Sequence, residues 1–137
     1  MLIVLGALAV DSAAVFLGQR QLGDAAAAAA NDAAGAAVDN GTFYRSGVVA
    51  LDPAMAGRVV CETLNAQASG NLSHLEVAVA VNGNAVGVRA SAQVSTVFGH
   101  ALPGVGDHHV SALAVAYTSG GAGRTPPPPS DYQPLSC

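Results

Sequence analysis

The residues in this sequence whose types could support metal chemistry are few. His100, Asp107, His108 and His109 form the one cluster of histidine and carboxylate that suggests a metal site. Adjacent histidines that enter a strand point to opposite faces, so His108 and His109 cannot readily share one ion. We therefore predict solvated loop histidines and no bound metal.

Recognisable catalytic patterns are also missing from the sequence. No Ser stands in a GxSxG setting, Cys61 has no recognisable partner base, and no Gly-rich loop joins a strand to a helix as a phosphate cradle would require. Asp24 and Asp32 share roughly one face of a predicted helix, but the rise per residue separates them by roughly 10 Å or more, too far for paired acid–base catalysis. We predict a protein that is not an enzyme, with no cofactor and no small-molecule substrate.

The two cysteines, Cys61 and Cys137, are too far apart in sequence for a CxxC redox pair or half of a zinc knuckle. Either they form one disulfide, which ties the last residue of the chain to its middle, or they are two unrelated thiols. We favour the disulfide, because a terminal Cys after a Pro-rich tail has no packing role unless something holds it. A disulfide in turn implies an oxidising, extracytoplasmic location.

The composition excludes one class of partner. Of the 137 residues, 51% are hydrophobic, mostly Ala and Val, and the net charge is −4. All cationic side chains except histidine are arginines scattered one by one along the chain, so no basic surface is available for a phosphate backbone. We predict one small domain with an appendage. We also predict that the protein does not bind nucleic acid.

The N-terminal region predicts a long helix with two different halves. Residues 1–17 are apolar except for Asp11 and Ser12, and as a helix they reach roughly 25 Å. The helical pattern continues through an Ala-rich second half to about residue 38, where Asn40-Gly41 ends it. The first half is either a membrane anchor or the core helix of a soluble domain.

Asp11 is the residue to single out in that helix. A carboxylate within an apolar helix is costly in lipid unless it is paired or lies near the interface. One interpretation is a salt bridge or hydrogen bond to a neighbouring subunit during assembly. The other is that Asp11 marks the end of a shorter apolar stretch and lies among the lipid headgroups.

The rest of the chain predicts a mixed head. Thr42 to Ala50 is expected as a loop or short extended piece, and Asp52-Pro53 supplies the start of a second helix that closes at Ser69-Gly70-Asn71. From His74 the apolar period changes to two, and Asn82-Gly83-Asn84 predicts a hairpin.

The hairpin partner and the tail complete the prediction. A strand from Ala85 to about Thr96 has one apolar face, made of Val86, Val88, Ala90, Ala92 and Val94. His109 to Thr118 predicts a third strand that is apolar on both faces, as the central strand of a three-stranded antiparallel sheet would be. The Pro-rich segment from Ser119 to Cys137 is expected to run extended over the surface, held only by the proposed disulfide.

The predicted fold class is therefore α+β, with a long N-terminal helix, a second short helix, a three-stranded antiparallel sheet and an extended Pro-rich tail. We divide the chain into an N-terminal hydrophobic and Ala-rich helix (1–40), an α+β head (41–118) and the tail (119–137).

Two stretches of the helix resemble a known family. Ala9-Val10-Asp11-Ser12-Ala13 and the run from Gln19-Arg20-Gln21-Leu22-Gly23-Asp24 into Ala25–Ala30 resemble the N-terminal region of TadE/TadG-like proteins of the Tad (Flp) pilus system. There an apolar anchor running into an Asp is followed by an Arg-Gln-Leu-type segment and an Ala/Asp-rich helix. The later order of an Asp-Pro helix start, two alternating Val strands, a Thr-Val-Phe-Gly turn and a final strand is also similar.

The resemblance implies a minor pilin-like or pseudopilin-like component of pilus assembly or adhesion. It implies other pilus or pseudopilin subunits as partners through the N-terminal helix, with Asp11, Arg20, Leu22 and Asp24 in assembly or helix packing. It also implies a single-pass location in the cytoplasmic membrane, with the head outside the cytoplasm. The chain departs from pilin-like members in having no Glu a few residues into its apolar segment and no cationic leader. The alternative is a soluble secreted binding module whose N-terminal helix packs on the sheet.

Overall fold

The structure is a computed structural model that describes residues 2–67, 70, 72–99, 106–121 and 123–137. Its helices are α1 (Leu2–Ala36), α2 (Asn40–Ser46) and α3 (Pro53–Gln67). Its strands are β1 (Leu72–Asn82), β2 (Ala85–Val94), β3 (His108–Tyr117) and β4 (Gln133–Leu135). The predicted α+β class and the long N-terminal helix are confirmed, whereas the sheet has four antiparallel strands and not three.

The helix α1 spans 35 residues and ends close to where the sequence predicts. Its Ala-rich half is favourable for helix because alanine loses no side-chain entropy there. The chain leaves the helix because Val38 pairs with Leu51 in an isolated bridge and Asp52 donates its amide to the Ala37 carbonyl. These contacts turn the chain back along the head before residue 38 can continue the helix.

The expected loop from Thr42 to Ala50 is wrong in its first part, because α2 occupies Asn40–Ser46. Asp39 caps this helix by accepting hydrogen bonds from the Thr42 amide and hydroxyl. These bonds, the one from the Thr42 hydroxyl first, hold the pKa of Asp39 below its ordinary value. Gly47 ends the helix in the left-handed conformation.

The second predicted helix, α3, begins where the sequence indicates. The Asp52 carboxylate accepts from the amides of Ala54 and Met55 at 2.8 and 3.0 Å, and Pro53 occupies the first helical position. Its buried residues, Ala56, Gly57, Val60 and Leu64, face the rest of the head. Thr63 also donates to Asp32 on α1 at 2.9 Å, which links the two helices near their solvent side.

The sheet has the strand order β3-β2-β1-β4. The hairpin between β1 and β2 is confirmed, with Gly83 at positive φ in the first position of its two-residue turn. The third strand is not central, because among the described residues it pairs only with β2, which places it at an edge. Its second apolar face is not buried: Leu113, which points away from the helices, is 61% exposed.

The core lies between α1 and one face of the sheet. The predicted apolar face of β2 is confirmed, since all five of its residues are buried. Small side chains cover it from α1, so the helix backbone comes close to the sheet. These residues of α1 and the residue after it are buried: Gly18, Leu22, Ala25, Ala26, Ala29, Ala30, Ala33, Ala34 and Ala37.

The C-terminal tail is not a loosely held extended segment. It crosses the outer face of the sheet, where the Arg89 guanidinium lies 4.5 Å from the Tyr132 ring centre and a side chain at Gly87 would collide with Tyr132. Burial raises the pKa of Tyr132, and the positive charge of Arg89 opposes this shift. The tail then forms β4 along the edge of β1, opposite Val77–Val79.

The tail ends at the disulfide between Cys61 on α3 and Cys137, whose Cα atoms are 5.3 Å apart. Leu135 packs against Gly57 one turn of α3 before Cys61. The contacts that hold the tail to the head thus include the stacked Tyr132, the short strand β4 and the disulfide.

Reduction of this disulfide is expected to loosen the tail and lower stability. The bond closes a loop of 76 residues, for which the chain-entropy model gives about 4.5 kcal/mol. We expect the free energy of unfolding of the purified chain to fall by up to that amount under reductant. Hydrogen exchange in the peptide containing Val77–Val79 should accelerate.

The matched control is the Cys61→Ser, Cys137→Ser double variant, which should not respond to reductant. Unchanged exchange at Val77–Val79 after reduction would mean that Tyr132 and β4 hold the tail without the disulfide.

Candidate membrane-anchoring and assembly surface

The first half of α1 projects a nearly uncovered apolar surface. The helix is long and apolar enough to cross a membrane, and only 11% of its most apolar 18-residue window is buried in the structure. A core helix of a soluble domain would be mostly buried over such a window. The large exposed hydrophobic residues of this half are Leu2, Ile3, Val4, Leu5, Leu8, Val10, Phe16 and Leu17.

The head closes over α1 at Gly18. A Cβ atom at this position would lie 2.5 Å from a methyl carbon of Val94, at the end of β2, so the two elements meet at a distance that only glycine permits without a shift. The next residue, Gln19, donates its side-chain amide to the Ser111 carbonyl on β3 at 2.6 Å. From this level onward the head-facing side of the helix is core.

Asp11 is the exception within the exposed half. It is only 7% exposed, and its Oδ1 atom accepts hydrogen bonds from the amides of Val97 and Phe98 at 3.1 and 3.2 Å. One oxygen of its carboxylate is therefore hydrogen-bonded within the chain. The partners lie 86 and 87 residues away in sequence, and no local pattern around Asp11 indicates them.

The other predicted assembly residues have separate environments. Leu22 is completely buried in the chain's own core, so it is unavailable to another subunit in this fold. Arg20 and Asp24 form an exposed ion pair at 3.9 Å, with side chains 72% and 78% exposed. The Ala face of α1, which comprises its buried alanines from Ala25 onward, is likewise occupied, because it packs under the sheet and α3.

The histidine cluster does not form a site among the described residues. His108 and His109 are exposed at the start of β3, and the side chain of His109 meets that of Gln93 at 3.3 Å. His108 lines a shallow depression with Leu8, Asp11 and Val15. His100 lies outside the described residues. Within the part of the chain that the structure describes, no group of three or more His, Cys, Asp or Glu could hold a metal ion.

The comparisons with known proteins add no relative. No protein-family model, no curated protein and no solved structure matches this chain.

Removal of the Asp11 carboxylate is expected to free the segment it holds. In Asp11→Ala the amides of Val97 and Phe98 lose their acceptor, which costs about 1–3 kcal/mol when such groups stay buried. We expect a lower free energy of unfolding and faster hydrogen exchange at Val97 and Phe98. Asp11→Asn keeps one acceptor oxygen and should lose less.

Asp24→Ala is the matched control on the same helix. It removes only an exposed ion pair, worth at most about 1 kcal/mol, and should leave exchange at Val97 and Phe98 unchanged. Equal losses in the Asp11 and Asp24 variants would contradict the role assigned to Asp11.

Proposed function

We propose that this protein is a non-catalytic, membrane-anchored, pilin-like or pseudopilin-like component of a Tad-type pilus assembly or adhesion system. The observation that carries the proposal is the division of α1 into an uncovered apolar half and a half that is built into the head. This division lets one helix enter an apolar environment while the domain stays outside it. The resemblance of residues 9–30 to TadE/TadG-like proteins supplies the choice of system.

The packing of α1 leaves only part of the helix free for assembly contacts. The Ala face from Ala25 onward is occupied by the chain's own sheet and α3, so it is not free to meet another helix. The small residues Gly6, Ala9 and Ala13 lie among the exposed large ones in the first half. Small residues allow close approach of helices within lipid. We therefore assign the helix–helix contacts with other subunits to residues 2–17.

The disulfide supports an extracytoplasmic head. A disulfide that joins the tail to α3 persists in oxidising compartments, whereas cytosolic thiols are kept reduced. The proposed location is therefore a single-pass anchor in the cytoplasmic membrane, with the head on its outer side. The alternative, a soluble secreted module with this helix packed on the sheet, requires a cover for the exposed residues 2–10.

The anchoring proposal is tested by a charge placed in the exposed half. Leu5→Arg puts a cation into the apolar surface, at a cost of about 2.5–3.5 kcal/mol if that position lies near the bilayer centre. We expect the unchanged chain to stay with membranes through alkaline carbonate extraction, and Leu5→Arg to be released in larger part.

Leu113→Arg is the matched control, because Leu113 is similarly exposed but lies on the head. It should remain with the membrane. Release of the unchanged chain itself would overturn the anchoring proposal and favour the soluble module.

Assembly through α1 is tested by cross-linking. The chain's two cysteines are both engaged in the disulfide, so a single added cysteine is a clean reporter. We expect Val10→Cys to form disulfide-linked homodimers in oxidised native membranes. Asn82→Cys, at the exposed end of β1, should remain monomeric. Cross-linking of both variants to the same extent, or of neither, would argue against assembly through this helix.

A further inference from the structure

The segment after β2 presents apolar side chains from a fixed backbone. Thr96 is 3% exposed, whereas Val97 and Phe98, which follow it directly, are 69% and 42% exposed. An exposed pair of this kind on a free loop would mean little. Here the amides of both residues donate to Asp11, so the backbone is held against α1 while the side chains remain in the open.

The position of this pair is continuous with the exposed half of α1. Asp11 lies in the middle of that half, and Leu8, one turn toward the N-terminus, is 45% exposed. Because Asp11 accepts from Val97 and Phe98 directly, their backbone lies beside the helix at the level of Asp11. His108 borders the same region on the β3 side, where it lines a depression with Leu8 and Val15.

Two of the three phenylalanines lie at the same end of the molecule. Of the three phenylalanines, Phe16 and Phe98 are exposed near the apolar half of α1, and Phe43 lies beyond the far end of the helix. The sequence places no Lys, Arg or Glu among residues 1–17, and its one carboxylate there, that of Asp11, is bound by the two amides. The surface that α1 and Val97–Phe98 form together is thus apolar over both elements.

We propose that Val97 and Phe98 are a second membrane contact, by which the head rests on the lipid bilayer beside its own anchor. The proposal rests on the membrane anchoring of α1 proposed above. The occupant is lipid and not a second protein, because the pair continues the apolar surface of the anchor and lies next to it. Asp11 acts as a positioning residue that holds the contact at a fixed depth relative to α1. Two contacts restrict the rotation and tilt of the head, which one helix would leave free.

The absence of tryptophan from the sequence allows a direct test. Phe98→Trp introduces a single tryptophan into the full chain, which is reconstituted into phosphatidylcholine vesicles containing lipids brominated at a shallow, middle or deep acyl position. We expect Trp at 98 to be quenched by the brominated lipids and its emission to shift to the blue relative to unfolded protein. Val97→Trp is a second reporter, should the change at Phe98 disturb folding.

Two control variants separate this proposal from the anchoring proposal. Phe16→Trp reports on α1 itself and should be quenched. Tyr44→Trp, at a residue 84% exposed on α2, lies roughly 35 Å along α1 from Asp11 and should not be quenched. In Asp11→Ala the quenching at position 98 should weaken while that at position 16 is kept.

The possible outcomes have different meanings. Quenching at 98 and 16 but not at 44 supports the second contact. Quenching at 16 but at neither 97 nor 98 overturns it and leaves the anchor intact. No quenching at any position overturns both proposals. A blue-shifted Trp at 98 that bromine does not quench would mean burial by protein, such as a second copy, and would also overturn the lipid contact.

Discussion

The structure depends on close packing between the Ala-rich half of α1 and the valine face of the sheet. Alanine side chains bury little area each, so the helix contributes to the core mainly by letting its backbone approach β2 and β3. Val86, Val88 and Val94 fill the resulting space and are completely buried. Gly18 is the limit of this arrangement, because its lack of a side chain lets Val94 sit directly on the helix. A larger residue at a buried alanine would overpack this interface and destabilise the fold.

This packing also defines where the molecule changes character. The alanines of the second half of α1 face the sheet. Strand β2 ends at Val94, and the large hydrophobic residues of the first half of α1 extend beyond it without a cover. Lipid or other apolar helices can cover such a surface without a change in the head. The polar contacts at the boundary are directional: Gln19 bonds the Ser111 carbonyl, and Asp11 bonds two amides. They fix the angle between the helix and the head, which apolar packing alone does not specify.

The elements that could be predicted are those whose signals are local. The Asp52-Pro53 start of α3, the turn at Gly83 and the alternation along β2 each depend on neighbouring residues, and each is found. The errors lie where a local signal was ambiguous or where a contact distant in sequence determined the structure. Asn40-Gly41 indicates the end of a helix, yet Asp39 caps a new one at the same place.

Distant contacts account for the remaining errors. Pro134 argues against a strand, but it is tolerated in β4 because that strand lies at the sheet edge. The apolar pattern of β3 indicates burial without saying which strands flank it, so its edge position could not be deduced. Periodicity likewise shows that Leu22 and the alanines share a helix face. It cannot tell whether the chain's own sheet or another subunit covers that face, and in this structure the sheet does.

Asp11 illustrates how a costly residue can be retained in an apolar helix. In an apolar environment a carboxylate without partners is strongly disfavoured, so hydrogen bonds to it help to explain its retention. Here the bonds come from the head, whose strand β2 ends close to the helix, and they are made within one chain. The side chain of Asp11 thus joins the head to its own helix.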